Sequence, residues 1–178
     1  MSEQIYYKVE NKDSELFKKA SEFLAIEDRL REEQKAAVIA KVPKFKTYRG
    51  EKGFDRIVRF TGFVFEDPQN IDPKVWITKE IDGKMLSTPN RRTKAGREMC
   101  EFLASFKRTT MWDVDRLLGI EKESIFGRFY PANFFKFNDR IYIFIDSHFR
   151  GAFEKNNTDF IEITHGEITK AIDDYNKD

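Results

Sequence analysis

The side chains best suited to chemistry are cations grouped at one point. Arg91, Arg92, Lys94 and Arg97 surround a predicted helix start, with Thr88-Pro89 as the first start signal and Thr93 as a second. A helix N-terminus exposes backbone N–H groups and the positive end of the helix dipole, so it favours an anion. Four cations there oppose the dipole, at a cost of roughly a few tenths of a kcal/mol if they are simply solvated. A bound phosphate would relieve that misfit. The plain alternative is a basic surface turn.

A second basic stretch runs from Lys41 to Arg59, with seven basic and two acidic residues, interleaved with Phe45, Tyr48, Phe54 and Phe60. Cations for phosphates and rings for bases is the pattern of a surface that holds a nucleic-acid strand or a nucleotide. Tyr48, Arg49 and Arg56 are the candidates for a second wall opposite Arg91, Arg92, Lys94 and Arg97. The ordinary alternative is a strand with outward arginines, in which Phe54 and Phe60 belong to the core.

Other chemistries have weaker support. Thr110–Tyr130 has the inner apolar residues and turn glycine of a helix-turn-helix (Val114, Leu118, Gly119, Ile120, Ile125), with Phe134–Asp146 as a possible wing. Asp115 and Arg128 fall where small or apolar residues are expected, and the reading helix would carry only Lys122 and Arg128 as cations. Asp82-Gly83-Lys84 matches half of a metal-dependent nuclease site, with Asp67 or Asp72 upstream, but it reads first as a tight turn that holds catalytic groups loosely. His148, His165 and Cys100 lack zinc-ligand spacing, and Cys100 lies beside Met99 in an amphipathic stretch as filler. No glycine-rich phosphate loop is present. No catalytic residue, metal or cofactor is therefore assigned.

Composition sets broader bounds. The 178 residues carry a net charge of +1, so no global field draws the chain to nucleic acid. The charge is unevenly placed: Lys84 to Arg97 has five basic residues and no acidic one, whereas Glu154 to Asp178 has seven acidic and three basic. The 18 phenylalanines point to a bulky core. Mean hydropathy is −0.64 and no apolar run approaches the ~18 residues needed to span a bilayer. The opening Met-Ser-Glu-Gln-Ile-Tyr-Tyr lacks the basic and apolar regions of a secretory signal, and a lone cysteine fits a reducing compartment. A soluble, cytoplasmic chain is expected.

The elements that position these residues follow from periodicity and turn chemistry. Ile5–Val9 reads as a strand. A long helix is predicted from Glu15 to about Val42, capped by Asp13 or Ser14 and stopped by Pro43. Leu16, Phe23, Leu30 and Ala37 lie seven apart in it, which allows a homodimer through a poor coiled-coil seam. Asp55–Glu66 reads as a strand, and Val75–Glu80 with Met85–Ser87 as a hairpin around Asp82-Gly83. A helical block spans about 88–130. A second hairpin, Asn133–Phe137 with Arg140–Asp146, turns at Asn138-Asp139. His148–Asn157 reads as irregular, Phe160–Ile163 as a strand, and Thr164-His165-Gly166-Glu167 as a capping box opening a final helix. Phe63, Phe65, Phe102, Leu103, Phe106, Ile143 and Ile172 fall on apolar faces and are expected in the core.

The predicted fold is α+β over 1–178 as a single domain. It has an antiparallel or mixed sheet, a long N-terminal helix, a central block of two to three helices and a C-terminal helix. The function expected is a small non-catalytic binding protein for a phosphate-bearing ligand, a nucleic-acid strand or a nucleotide-like molecule. The alternative is a protein-interaction module that inhibits or regulates a partner; a metal-dependent nuclease comes third.

Overall fold

Among the described residues, five α-helices and eight strands lie along the chain, and every strand pairing is antiparallel. The computed structural model describes residues 3–47, 62–81, 83–121 and 132–177. The α+β class follows, with the long N-terminal helix in place. No helix among these residues is long and apolar enough to cross a membrane. The chain folds as two compact units, one of residues 1–28 and 109–178 and the other of residues 29–108.

The first unit is built on a four-stranded sheet in the order β6-β7-β1-β8. Its strands are β1 (Gln4–Val9), β6 (Asn133–Phe137), β7 (Arg140–Asp146) and β8 (Ile161–Ile163). Asn138 and Asp139, both at positive φ, form the two-residue turn between β6 and β7. Because side chains alternate across a strand, Ile5, Tyr7, Val9, Phe134, Ile141, Ile143 and Ile145 share one face, and all are buried. That face packs with Leu16, Phe17 and Ala20 from the start of α1 (Glu15–Lys41), with Val114 and Leu118 of α3 (Met111–Leu118), and with Phe153 of α4 (Arg150–Asn156). On the opposite face Phe135 stacks on Tyr142 (5.1 Å) and meets Tyr175 (5.2 Å) of α5 (His165–Asn176). The sheet is therefore covered on both faces.

Local signals set the helix ends. The Ser14 hydroxyl accepts from Phe17 N (3.1 Å) and caps α1, and Thr164 caps α5 by accepting from Glu167 N (3.2 Å). Thr110 and Asp113 form a reciprocal capping box on α3, which ends at Gly119 with φ +74°. Leu16 and Phe23, the first two residues of the heptad in α1, are occupied within this unit: Leu16 is buried, and Phe23 packs 5.5 Å from Phe134.

One expectation needs correction here. His148–Asn157 is not irregular. The Asp146 carboxylate accepts from His148 N (3.0 Å) and starts a 3-10 turn over Ser147–Phe149, which runs directly into α4. Gly151 and the short length hid the helical period. The expected Phe134–Asp146 hairpin is present, and β7 also pairs with β1 along its other edge. The proposed reading helix of a helix-turn-helix, Lys122–Phe129, lies outside the described residues.

The second unit holds the remainder of α1, the strands β2 (Phe45–Thr47) and β3 (Val64–Phe65), the hairpin β4 (Trp76–Ile81) and β5 (Lys84–Pro89), and α2 (Lys94–Ala104). Its core is Val38, Val42, Phe63, Phe65, Trp76, Met99 and Leu103. Trp76 meets Phe63 edge-on at 5.6 Å and Phe65 at 5.1 Å. Phe63 and Ser87 exchange two backbone hydrogen bonds (2.9 and 2.8 Å), which tie this aromatic cluster to β5. Of the expected core, Phe63, Phe65, Leu103 and Ile143 are buried, whereas Phe102, Phe106 and Ile172 are half-buried. Most of the strand expected over Asp55–Glu66 lies outside the described residues.

An ion-pair cluster closes the first unit around Tyr7. The buried Tyr7 hydroxyl donates to Glu154 Oε1 (3.1 Å), and Arg150 bridges Glu154 (3.6 Å) and Glu162 (2.7 Å). Burial first, then the Glu154 carboxylate, push the Tyr7 phenol up. The hydrogen bond from Arg150 holds the Glu162 carboxyl below the usual carboxylate range. A depressed carboxyl contributes stability at neutral pH and loses it as pH falls through its folded-state value. Glu162→Gln is thus expected to lower the melting temperature modestly at pH 7. The difference from wild type should vanish in acid, below the folded-state value of Glu162, as melting curves across a pH series would read it.

Candidate phosphate-binding groove

The segment that carries Arg91 and Arg92 is pinned at both ends. Asn90 N donates to the Val75 carbonyl (2.7 Å), and Asn90 Nδ2 donates to the Pro73 carbonyl (3.3 Å). Its Oδ1 accepts from Arg92 N (3.1 Å), the short-range turn that asparagine favours. The Asn90 carbonyl accepts from Thr93 N (3.3 Å). The Thr93 hydroxyl accepts from Gly96 N (3.0 Å), capping α2, and its single proton faces two carbonyls, those of Lys74 and Asn90.

Gly96 makes this arrangement possible. A Cβ at this position would lie 1.7 Å from the Asn90 oxygen and 2.5 Å from its carbonyl carbon. Both are backbone atoms, with no flexible end to move aside. The 90–93 loop can lie against the first turn of α2 only because residue 96 has no side chain.

The helix start differs from the first signal read in the sequence. Thr88-Pro89 does not open a helix; β5 continues to Pro89, which pairs with Trp76, and the cap falls at Thr93. Proline needs no N–H at a strand's last position, so it tolerates this place. Met99 and Leu103 then anchor α2 on the core of the second unit.

Between α2 and the β4–β5 hairpin lies a groove of about 890 Å³. Four cations line it: Lys79 from β4, Arg91 and Arg92 from the pinned loop, and Arg108 beyond the end of α2. Its apolar surface comes from Ile77, Pro89, Leu103 and Ala104, with Thr88 and Cys100 between them. Ile77 and Lys79 reach it together because they are two apart on one strand. The Arg108 guanidinium is held against the last turn of α2 by donating to the Leu103 carbonyl (3.3 Å).

Of the residues singled out in the sequence, Arg91 and Arg92 line the groove. Lys94 and Arg97 are exposed on the first turn of α2 and are not among its lining residues; Arg97 Nη1 donates to the Arg91 carbonyl (3.4 Å). Tyr48, Arg49 and Arg56 lie outside the described residues, as does Asp82 of the nuclease-like triplet. Among the described residues no group of three or more His, Cys, Asp or Glu could hold a metal ion.

Lys79 and Arg108 are lining residues that sequence reasoning missed. Lys79 reads as an ordinary outward lysine on an alternating strand. Arg108 sits in Lys107-Arg108-Thr109-Thr110, which reads as a basic connector. Its pairing with the carbonyl five residues back has no sequence signature.

No protein-family model matches the chain, and no curated protein or solved structure is significantly similar to it.

Gly96→Ala tests the seating of the loop. The added methyl cannot fit against the Asn90 carbonyl, so the loop must lift. The melting temperature is expected to fall, and binding of any groove ligand to weaken with it, as a thermal melt and a titration on the same variant would show. Gly151→Ala is the control, since a Cβ there meets nothing within 4 Å.

Proposed function

We propose that the protein is a non-catalytic binder of a phosphate-bearing ligand, a nucleic-acid strand or a nucleotide-like molecule, held in the groove beside α2. The observation that carries this reading is the convergence of Lys79, Arg91, Arg92 and Arg108, from three separate segments, on one cavity. Arginine suits phosphate because its planar fork donates two parallel hydrogen bonds. The pinned loop supports the reading, because the backbone that carries Arg91 and Arg92 is already ordered and loses little conformational freedom on binding. Lys94 and Arg97 belong to the same positive field and act as outer contacts. Tyr48, Arg49 and Arg56 remain the proposed second wall, and a reducing, cytoplasmic setting remains the expected location.

A second reading, a protein-interaction module, draws on a different surface. Met111 and Trp112 stand 39% and 48% exposed at the first turn of α3. Tryptophan exposed in this way is a common anchor of protein interfaces.

The test is Arg91→Ala with Arg92→Ala, titrated with single- and double-stranded oligonucleotides and a panel of nucleotides at one salt concentration. Each lost charge-assisted contact should cost about 1 kcal/mol of binding or more. The melting temperature should hold or rise slightly, because like charge is removed from the positive end of a helix dipole. A fall in stability with binding intact would make these arginines structural. If no phosphate ligand binds the wild-type chain, the protein-interaction reading takes its place.

A further inference from the structure

The groove's cations are not gathered at one point, and their spacing bears on the size of the ligand. Arg91 and Arg92 leave the loop just before the Thr93 cap, at the N-terminal end of α2. Arg108 is fastened to the Leu103 carbonyl, in the last turn of the same helix. With ~1.5 Å of rise per residue, α2 places about 15 Å between Thr93 and Leu103. Both ends are fixed, one by the bonds of Asn90 and the close approach at Gly96, the other by the hydrogen bond from Arg108.

Resting on the reading of this groove as a phosphate site, we infer that its ligand is a single nucleic-acid strand whose phosphodiester backbone runs along α2. A stacked helical strand carries a phosphate about every 3.4 Å of rise and an unstacked one spaces them more widely, so roughly two to four phosphates span the distance between the two cationic ends. The phosphates of one nucleotide are contiguous and reach one end or the other. The accessible apolar side chains of the groove, Ile77, Pro89 and Ala104, distinguish strand from duplex. A single strand offers sugar and base faces to cover them; a duplex turns its base faces inward. Single-strand recognition generally joins a charged groove that follows the backbone to rings on which bases stack; this groove supplies the charge and offers aliphatic surface in place of rings.

The experiment is fluorescence anisotropy on the full 178-residue chain. The probe is a labelled oligo-dT about twelve nucleotides long, and the competitors are its duplex with oligo-dA, ATP and inorganic tripolyphosphate, at matched phosphate concentration. The strand is expected to bind with a salt slope of about −3, from ~0.7 per phosphate contact, and none of the competitors should displace it at parity. Arg108→Gln should weaken the strand about fivefold or more and make the salt slope shallower by about 0.7, while Arg108→Lys, which keeps the charge, should retain most of the affinity. Displacement by ATP at parity, equal affinity for the duplex, or unchanged strand affinity in Arg108→Gln would overturn the inference. Binding of ATP or tripolyphosphate without the strand would overturn it while leaving the phosphate reading intact. Failure of strand, ATP and tripolyphosphate alike to bind wild type would remove both.

Discussion

The carbonyl of Asn90 occupies the space that a side chain at residue 96 would take, and the groove depends on that contact. With glycine there, the loop after β5 folds flat onto the first turn of α2 and is tied to 73–75 on its other side. The hairpin and the helix are thereby held at the separation that leaves a cavity between them. Remove the close approach and Arg91 and Arg92 become flexible cations on a loose turn, which bind anions weakly because ordering them costs conformational freedom.

Electrostatics and packing pull in different directions at this place. The capped start of α2 already carries partial positive charge, and Arg91, Arg92, Lys94 and Arg97 add to it. Nothing in folding alone favours that accumulation. The aromatic cluster of Phe63, Phe65 and Trp76, with Met99 and Leu103, supplies the packing that holds α2 in position against it. The apolar core tolerates the charge at the helix start, and an anion in the groove would offset it. The first unit is differently balanced: its ion pairs join opposite charges, as in Arg150 with Glu162 and Lys8 with Glu10 and Glu167, and they close the sheet rather than leave charge to be answered.

Much of the fold was legible because its signals are local. Ser14 and Pro43 bound α1, Thr110 and Gly119 bound α3, and Asn138-Asp139 and Gly83 mark the two hairpins. The sheet order was not legible, since the pairing of β1 with β7 and β8 is set by residues distant in sequence. α4 was hidden because its seven residues include Gly151 and fully bury only Phe153, with the small Ala152 beside it against the core. The site was legible by half. Arg91 and Arg92 stood out as charges in an unfavourable place, whereas Lys79 and Arg108 reach the groove through strand alternation and a side-chain-to-carbonyl bond. Tyr48, Arg49 and Arg56 were chosen for composition alone and lie outside the described residues.

The most direct measurement of whether the groove is the binding site uses its own reporter. Cys100 is the chain's single cysteine and lines the groove between the cationic ends. Its rate of reaction with a small uncharged thiol reagent can be followed with and without a saturating single-stranded oligonucleotide. The account requires that the oligonucleotide slow the reaction in the wild-type chain and, at the same concentration, slow it less in Arg91→Ala with Arg92→Ala. An oligonucleotide that binds the wild type yet leaves the Cys100 rate untouched would place the ligand elsewhere and contradict it.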